Sequence, residues 1–473
     1  MSERLGSGIE RLDLVLDGGI PASSINLLVG PPGSGKTILA QHYLFANATP
    51  ERPAYYLSTV SEPFDKIVRY GQELSFFDIG SVGRSVFYED LAIILQREGL
   101  AGVSARIARL LQEADPSVIV IDSFKALHAF TNEPEAFRSF LHELAGRLSA
   151  RSVTSFWVGE YTREEIPSVP EAAVADAIVL LSFERSGARE RRSLQVLKLR
   201  GSSYLSGTHA YRLSSSGMEV FPRLADPVDQ ARYLQVPERS SSGIHALDVM
   251  LSDGYWPGAS TLIAGPTGAG KTLMGLHFVM GGARLGEPGI IATLQENPSQ
   301  LERVARGFGW SLSEDNVHVM YRSPVDMYID EWVYELLDLI QEKGARRVLV
   351  DSMSDLRISV DDELRFREYV YSLSQRMTRQ NVSLMMTLEL PEVFSIGSIS
   401  QMGVSHLSDN AILLQYTRSQ SQVRRTVTVL KTRASYHDPL VREFLITPQG
   451  IAVGEPIPGP GPAVGIPSAL VTG

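Results

Sequence analysis

The stretch SGIERLDLVLDGGIPASSINLLVGPPGSGKT, Ser7 to Thr37, lies without a gap over SGIHALDVMLSDGYWPGASTLIAGPTGAGKT, Ser242 to Thr272, at a constant spacing of 235 residues. Gly8 meets Gly243, Leu12 meets Leu247, Asp13 meets Asp248 and Lys36 meets Lys271. Further along, the spacing slips while the correspondence persists. It is 229 for Asp122-Ser123 with Asp351-Ser352, for Phe137-Arg138 with Phe366-Arg367 and for Glu160 with Glu389. It is 233 for Asp176 with Asp409 and for Lys198-x-Arg200 with Lys431-x-Arg433. A chain written twice folds as two homologous domains in tandem, each with its own core. With 473 residues, 44% of them hydrophobic, there is material for both. The expected boundaries are a first domain over 1–223, a linker over 224–239, a second domain over 240–453 and a flexible Pro/Gly-rich tail over 454–473.

Within each copy, short apolar runs alternate with longer amphipathic stretches, the pattern of an α/β fold with a mainly parallel sheet flanked by helices. The runs are INLLVG, AYYLST, VIVID, SFWVGE and AIVLL in the first copy, and STLIAG, IIATL, RVLVD, SLMMTLE and AILLQ in the second. Each copy closes on a strand pair with a short turn, AYRLSSSGMEVF and EFLITPQGIAV.

Composition removes several function classes. There is no cysteine, so disulfides, thiolate zinc sites, iron–sulfur clusters and cysteine nucleophiles are excluded. No apolar stretch reaches the roughly 18 residues of a membrane span, and Met1–Asp13 lacks the pattern of a secretory leader, so no membrane role and a cytoplasmic location are expected. The net charge of −10 argues against a broad surface for nucleic acid. None of the nine histidines has metal-ligand spacing.

Gly30-Pro-Pro-Gly-Ser-Gly-Lys36-Thr37 and Gly265-Pro-Thr-Gly-Ala-Gly-Lys271-Thr272 both satisfy G-x-x-x-x-G-K-[ST], between an apolar run and a helical one. In such a loop, consecutive backbone N–H groups curl around a polyphosphate at a helix N-terminus. The expected polyphosphate-binding set is therefore Gly30, Pro31, Pro32, Gly33, Ser34, Gly35, Lys36 and Thr37 with Gly265, Pro266, Thr267, Gly268, Ala269, Gly270, Lys271 and Thr272. Lys36 and Lys271 address the β- and γ-phosphates, and the Thr37 and Thr272 hydroxyls are expected to hold Mg²⁺. The third apolar run of each copy ends in a carboxylate, Asp122 or Asp351, which either orients the magnesium shell or caps a turn.

These features together resemble the RecA-like P-loop ATPases, and within them the KaiC family. The resemblance rests on the SGIxxLDxxL entry, both phosphate loops, both Asp-Ser pairs, the strands VLKLRGSSY and VLKTRASYHD, and LSDNAILLQY, and it covers nearly all of the chain except the tail. It implies tandem RecA-like P-loop NTPase domains, a homohexamer with ATP at subunit interfaces, and a regulatory protein partner. It further implies that Lys198, Arg200, Lys431 and Arg433 reach a γ-phosphate held by a neighbouring subunit. On the residues alone, Lys and Arg at i and i+2 of a strand converge on one anion or decorate an exposed edge strand. Four of the seven lysines lie at the two loops and in these two strands.

The chain departs from the family where hydrolysis is decided. Family members carry two adjacent glutamates before a Thr/Ser/Asn-Pro pair to align the attacking water. Here the second copy reads Gln295-Glu296-Asn297-Pro298, and the first reads Val60-Ser61-Glu62-Pro63, with its acid one residue late. Domain 2 is therefore expected to hydrolyse ATP through Glu296, and domain 1 to bind it and turn over slowly unless Glu62 rescues it. The family's phosphorylated Ser-Thr pair corresponds to Ser405-His406, so Ser405 is a candidate autophosphorylation site or a turn residue.

Arg357 reads as an arginine finger or as a surface ion-pair partner, and Glu160 and Glu389 as phosphate sensors or strand-end carboxylates. Tyr328, Trp332 and Tyr334 fit a buried helix face better than a base-stacking platform. The leading expectation is an ATP-hydrolysing oligomeric signalling switch, with serine autokinase activity as an addition. A nucleic-acid-dependent ATPase and a nucleotide-bound scaffold are the alternatives.

Overall fold

The computed structural model describes residues 3–59, 64–131, 133–186, 189–224, 238–313, 316–360, 362–390, 408–419, 422–433 and 435–457. The chain divides into two compact units, 1–223 and 224–473.

In the first unit, nine strands form one sheet in the order Gly217–Phe221, Thr208–Ser214, Arg189–Leu199, Ala177–Ser186, Ile25–Val29, Thr154–Gly159, Val118–Asp122, Ala54–Ser58, Val86–Asp90. From Ala177–Ser186 to Val86–Asp90 every pairing is parallel; the other strands add antiparallel. The apolar runs are nearly continuous because both faces are covered. Alternate residues feed two cores. Leu27, Val29, Ile119, Ile121 and Trp157 face Leu110, Leu141 and Leu144, while Leu28, Val120, Phe156 and Val158 face Leu39, Tyr43 and Leu44. Each of these fully buried side chains contributes about 1.5–3 kcal/mol.

The second unit repeats this plan. Its sheet runs Val317–Tyr321, Gly289–Thr293, Arg347–Asp351, Ser383–Glu389, Ser260–Gly265, Asn410–Ser419, Gln422–Thr432, Arg442–Thr447, Gly450–Pro456. Both units are thus the expected tandem RecA-like α/β domains. Trp332 and Tyr334 are buried on the helix Ile329–Lys343, and Tyr328 stands at its N-cap.

Three details differ from the sequence expectation. Each sheet has one more parallel strand than the apolar runs suggested. Val86–Asp90 and Val317–Tyr321 are edge strands of mixed polarity, VFYED and VHVMY, so no continuous run announces them. Asp122 and Asp351 consequently end the fourth strand, in chain order, of their nine-stranded sheets rather than the third. The tail does not begin at 454: the last strand runs through Pro456, paired with Arg442, where an edge position makes the missing proline N–H harmless. At the other junction, Leu224, the first residue of the expected linker, is buried in the second unit's core. Residues 225–237 and 458–473 lie outside the described residues.

The helix that follows each phosphate loop, Lys36–Asn47 and Lys271–Arg284, is tied to the terminal hairpin of its unit by a histidine. The Met218 N–H donates to His42 Nε2 at 3.1 Å, and the Ile451 N–H donates to His277 Nε2 at 2.9 Å. An accepting Nε2 requires the neutral ring with its proton on Nδ1. Only glycine fits beside it, since a Cβ on Gly217 or Gly450 would stand 2.3 Å from the Nε2. Burial pushes both rings down to about 4 from the ordinary 6.5. Between these values the unfolded chain binds protons that the folded chain does not, so stability is complete above pH 6.5 and falls as pH drops towards 4. Denaturant titrations across this range will show the loss. It will be shallower in a His42→Gln/His277→Gln double variant, which itself costs about 1 kcal/mol per site at pH 7.5.

Candidate functional site

Both phosphate loops form at the carboxyl end of a central strand, where a parallel sheet opens its ligand crevice. The loops must pass close to the neighbouring strand. A Cβ on Gly30 would lie 2.0 Å from the Leu181 carbonyl oxygen, and one on Gly265 would lie 2.6 Å from that of Leu414. Gly35 and Gly270, both left-handed with φ of 86° and 106°, turn the chain into its helix.

The lysines fold back over their loops. Lys36 Nζ donates to the Pro31 carbonyl at 2.8 Å, and Lys271 Nζ to those of Gly265 and Pro266, both at 2.9 Å. Burial lowers both ammonium pKa values. Glu160 and then Asp122 oppose this at Lys36, as Glu389 and then Asp351 do at Lys271. The Thr37 hydroxyl donates to Asp122 Oδ2 at 2.9 Å, and the Thr272 hydroxyl to Asp351 Oδ2 at 2.7 Å. The residues singled out for magnesium are therefore in contact in both units.

Each aspartate has another hydroxyl partner that sequence reasoning missed, and the two copies take it from different strands. In the first unit, Tyr56 donates to Asp122 Oδ2 at 2.6 Å. In the second, the equivalent of Tyr56 is Ile291, and Thr387 donates to Asp351 Oδ1 instead. The spacing of 229 matches Thr387 to Val158, so the hydroxyl has changed strand between the copies. Comparing the repeats position by position for hydroxyl exchange was the signal available. Two arginines were also missed. Arg192 donates to the Gly33 carbonyl at 2.8 Å and Arg425, its counterpart at 233, to that of Gly268 at 3.4 Å. They lie over Phe183 and Tyr416 respectively.

Glu296 sits between the strand Gly289–Thr293 and the capped helix Pro298–Gly307. The Thr293 hydroxyl spans this turn, accepting from the Glu296 N–H at 3.2 Å and donating to its carbonyl at 3.0 Å. Burial, then the nearby Asp351 charge, raises the Glu296 pKa. Its Oε2 is buried with no hydrogen-bond partner. Ser61 stands at the matching position of the first copy, and it and Glu62 lie outside the described residues, as does Ser405.

Lys198, Arg200, Lys431 and Arg433 are not gathered at the loops of their own units. The Arg200 N–H bonds Asp176, whose N–H bonds Ile25, and the Arg433 N–H bonds Asp409, whose N–H bonds Ser260. These rows lie five residues before Gly30 and Gly265, roughly 16 Å along the strand at about 3.3 Å per residue. Lys198 Nζ donates to the Ala172 carbonyl at 2.9 Å and Lys431 Nζ to that of Ser408 at 2.6 Å. Their strand is not the sheet edge, although its outer neighbour pairs only with Ser193–Gln195 in the first unit. Arg357 pairs with Glu363 at 2.6 Å on the surface.

A family profile described as an ATPase, KaiC, matches residues 5–225 and 240–457. The chain belongs to the KaiC family of ATPases. The circadian clock protein KaiC3 of Synechocystis sp. is 31% identical over 471 residues, covering 96% of this chain and 92% of that protein. The circadian clock oscillator proteins KaiC of Picosynechococcus sp. and Rippkaea orientalis are 27% and 26% identical. They cover 95% and 93% of this chain and 89% and 87% of their own lengths. Two KaiC ATPase domains, with P-loops at Gly30–Thr37 and Gly265–Thr272, thus make up most of the chain, and no helix among the described residues is long and apolar enough to cross a membrane.

The exchanged hydroxyls give separable outcomes in this KaiC-family chain. Tyr56→Phe will lower the unfolding free energy of the first domain by about 2 kcal/mol and Thr387→Val that of the second, each leaving the other domain's transition in place, as followed by hydrogen exchange of the two domains.

Proposed function

We propose that this chain is an ATP-hydrolysing oligomeric signalling switch in the cytoplasm, with turnover in the second domain and tight, slowly hydrolysed ATP in the first. The observation that carries this reading is the buried, unpartnered Oε2 of Glu296 beside the Thr272–Asp351 pair. A carboxylate with a raised proton affinity and a free lone pair suits a group that orients water and accepts its proton.

Magnesium fits the donor set. Thr37 with Asp122, and Thr272 with Asp351, offer only hydroxyl and carboxylate oxygen, and among the described residues no group of three or more His, Cys, Asp or Glu competes as an all-protein cage. Mg²⁺ takes one or two protein oxygens and completes its shell with water and phosphate. When bound it neutralises charge on the β- and γ-phosphate oxygens. Lys36 and Lys271 then swing from their loop carbonyls to the phosphates, and the loop N–H groups wrap the anion.

The cations at the opposite sheet end support the oligomeric reading. Lys198, Arg200, Lys431 and Arg433 are about 16 Å along the strands from their own loops, so their use at a γ-phosphate requires a neighbouring subunit. This favours a homohexamer closed by ATP at its interfaces. The clock-protein names of the relatives favour a nucleotide state read by a regulatory protein partner.

Purified chain incubated with γ-labelled ATP and Mg²⁺, with released phosphate, covalent label and particle mass measured together, tests the reading. Released phosphate and a hexameric mass are expected, and label on Ser405 adds autokinase activity. Glu296→Gln will reduce phosphate release by about 10²-fold or more. If Glu62→Gln does so instead, the division between the domains is wrong, and if the wild-type chain releases no phosphate it is a scaffold.

A further inference from the structure

In the second unit, the strand Ser383–Glu389 lies between the loop strand Ser260–Gly265 and the aspartate strand Arg347–Asp351, and its register sets Glu389 beside Gly265. Residues two apart on a strand share a face. Thr387 and Glu389 use that face in opposite directions. Thr387 donates to Asp351, while the Glu389 carboxylate accepts from the Thr267 hydroxyl of the phosphate loop. One strand therefore ties both walls of the cleft together. A further bond, from the Tyr416 hydroxyl to the Thr267 carbonyl at 3.3 Å, steadies the same loop residue.

The first unit lacks both ties. Val158 replaces Thr387, and Pro32 replaces Thr267 and has no group to donate. Glu160, the counterpart of Glu389, is exposed and ends its strand without a loop hydroxyl to hold it. Both glutamates are the leading negative neighbours of their loop lysines. Only Glu389 is held there by the loop itself.

The lysine of such a loop addresses the β- and γ-phosphates. A carboxylate fixed next to it shares that lysine with the terminal phosphate and repels it, whereas a diphosphate ends one phosphate short. We propose that Glu389, held by Thr267, is a positioning residue that biases the second site towards nucleoside diphosphate over triphosphate, a bias the first site lacks. This deepens the ATP-site reading above and rests on it. Seating a γ-phosphate breaks the Thr267–Glu389 bond, and its loss lets the bond form again. The second site thus resists reloading after turnover, while the first stays charged.

The test is calorimetric titration of the full chain with Mg-ADP and with the non-hydrolysable Mg-AMP-PNP, in a Lys36→Ala background that silences the first site. The second site is expected to bind the diphosphate more tightly. Glu389→Gln keeps an acceptor for Thr267 but removes the charge. It will shift the affinity ratio about tenfold towards AMP-PNP while changing ADP affinity less than twofold. Thr267→Ala frees the carboxylate and will shift the ratio the same way by a smaller factor. A ratio unmoved by Glu389→Gln overturns the proposal, as does an equal weakening of both nucleotides, which marks a merely structural role. If the second site binds neither nucleotide before Glu389 is changed, the ATP-site reading itself has failed.

Discussion

The phosphate loop of each domain is fixed to the rest of its sheet by one hydrogen bond, from the threonine that follows the loop lysine to the aspartate two strands away. It spans a sheet in which a third strand intervenes, so it forms only if all three strands keep their register. A slip of one residue would turn the aspartate to the opposite face. The cores on both sides of the sheet hold that register, and the phosphate loop inherits its shape from it.

The duplication made the architecture readable before any coordinates. Paired phosphate loops and Asp-Ser strand ends require the same crevice twice, and the five glycine, lysine and threonine anchors of each loop at a fixed spacing leave little freedom. What escaped the reading escaped for physical reasons. The edge strands Val86–Asp90 and Val317–Tyr321 face solvent along one side and so carry no apolar run. The continuation of the last strand through Gly454 and Pro456 depends on backbone pairing that composition does not express. Tyr56 and Thr387 show in the sequence only as hydroxyls exchanged between the copies; that they reach an aspartate on a neighbouring strand is set by the sheet order rather than by proximity in sequence. Lys198 and Lys431 were legible as unusual, but only the pairing register reveals how far they stand from their own loops.

The two copies have diverged most where they touch phosphate. The first closes its aspartate with a tyrosine from one side, and the second with a threonine from the other. The first puts proline where the second has Thr267, and serine where the second has Glu296. Packing residues remain interchangeable in kind, so the scaffold is shared while the chemistry at its rim is not. Two of these exchanges, Tyr56 for Ile291 and Val158 for Thr387, fall at positions that stay buried in both copies, so the sheet keeps its packing while the groups that reach the aspartate change.

The buried histidines join distant parts of each domain. His42 and His277 stand six residues into the helix that opens at the loop lysine, and each grips the turn of the outermost hairpin. The imidazole is thus a direct strut from the helix behind the phosphate loop to the outer hairpin, a tie that bypasses the strands between.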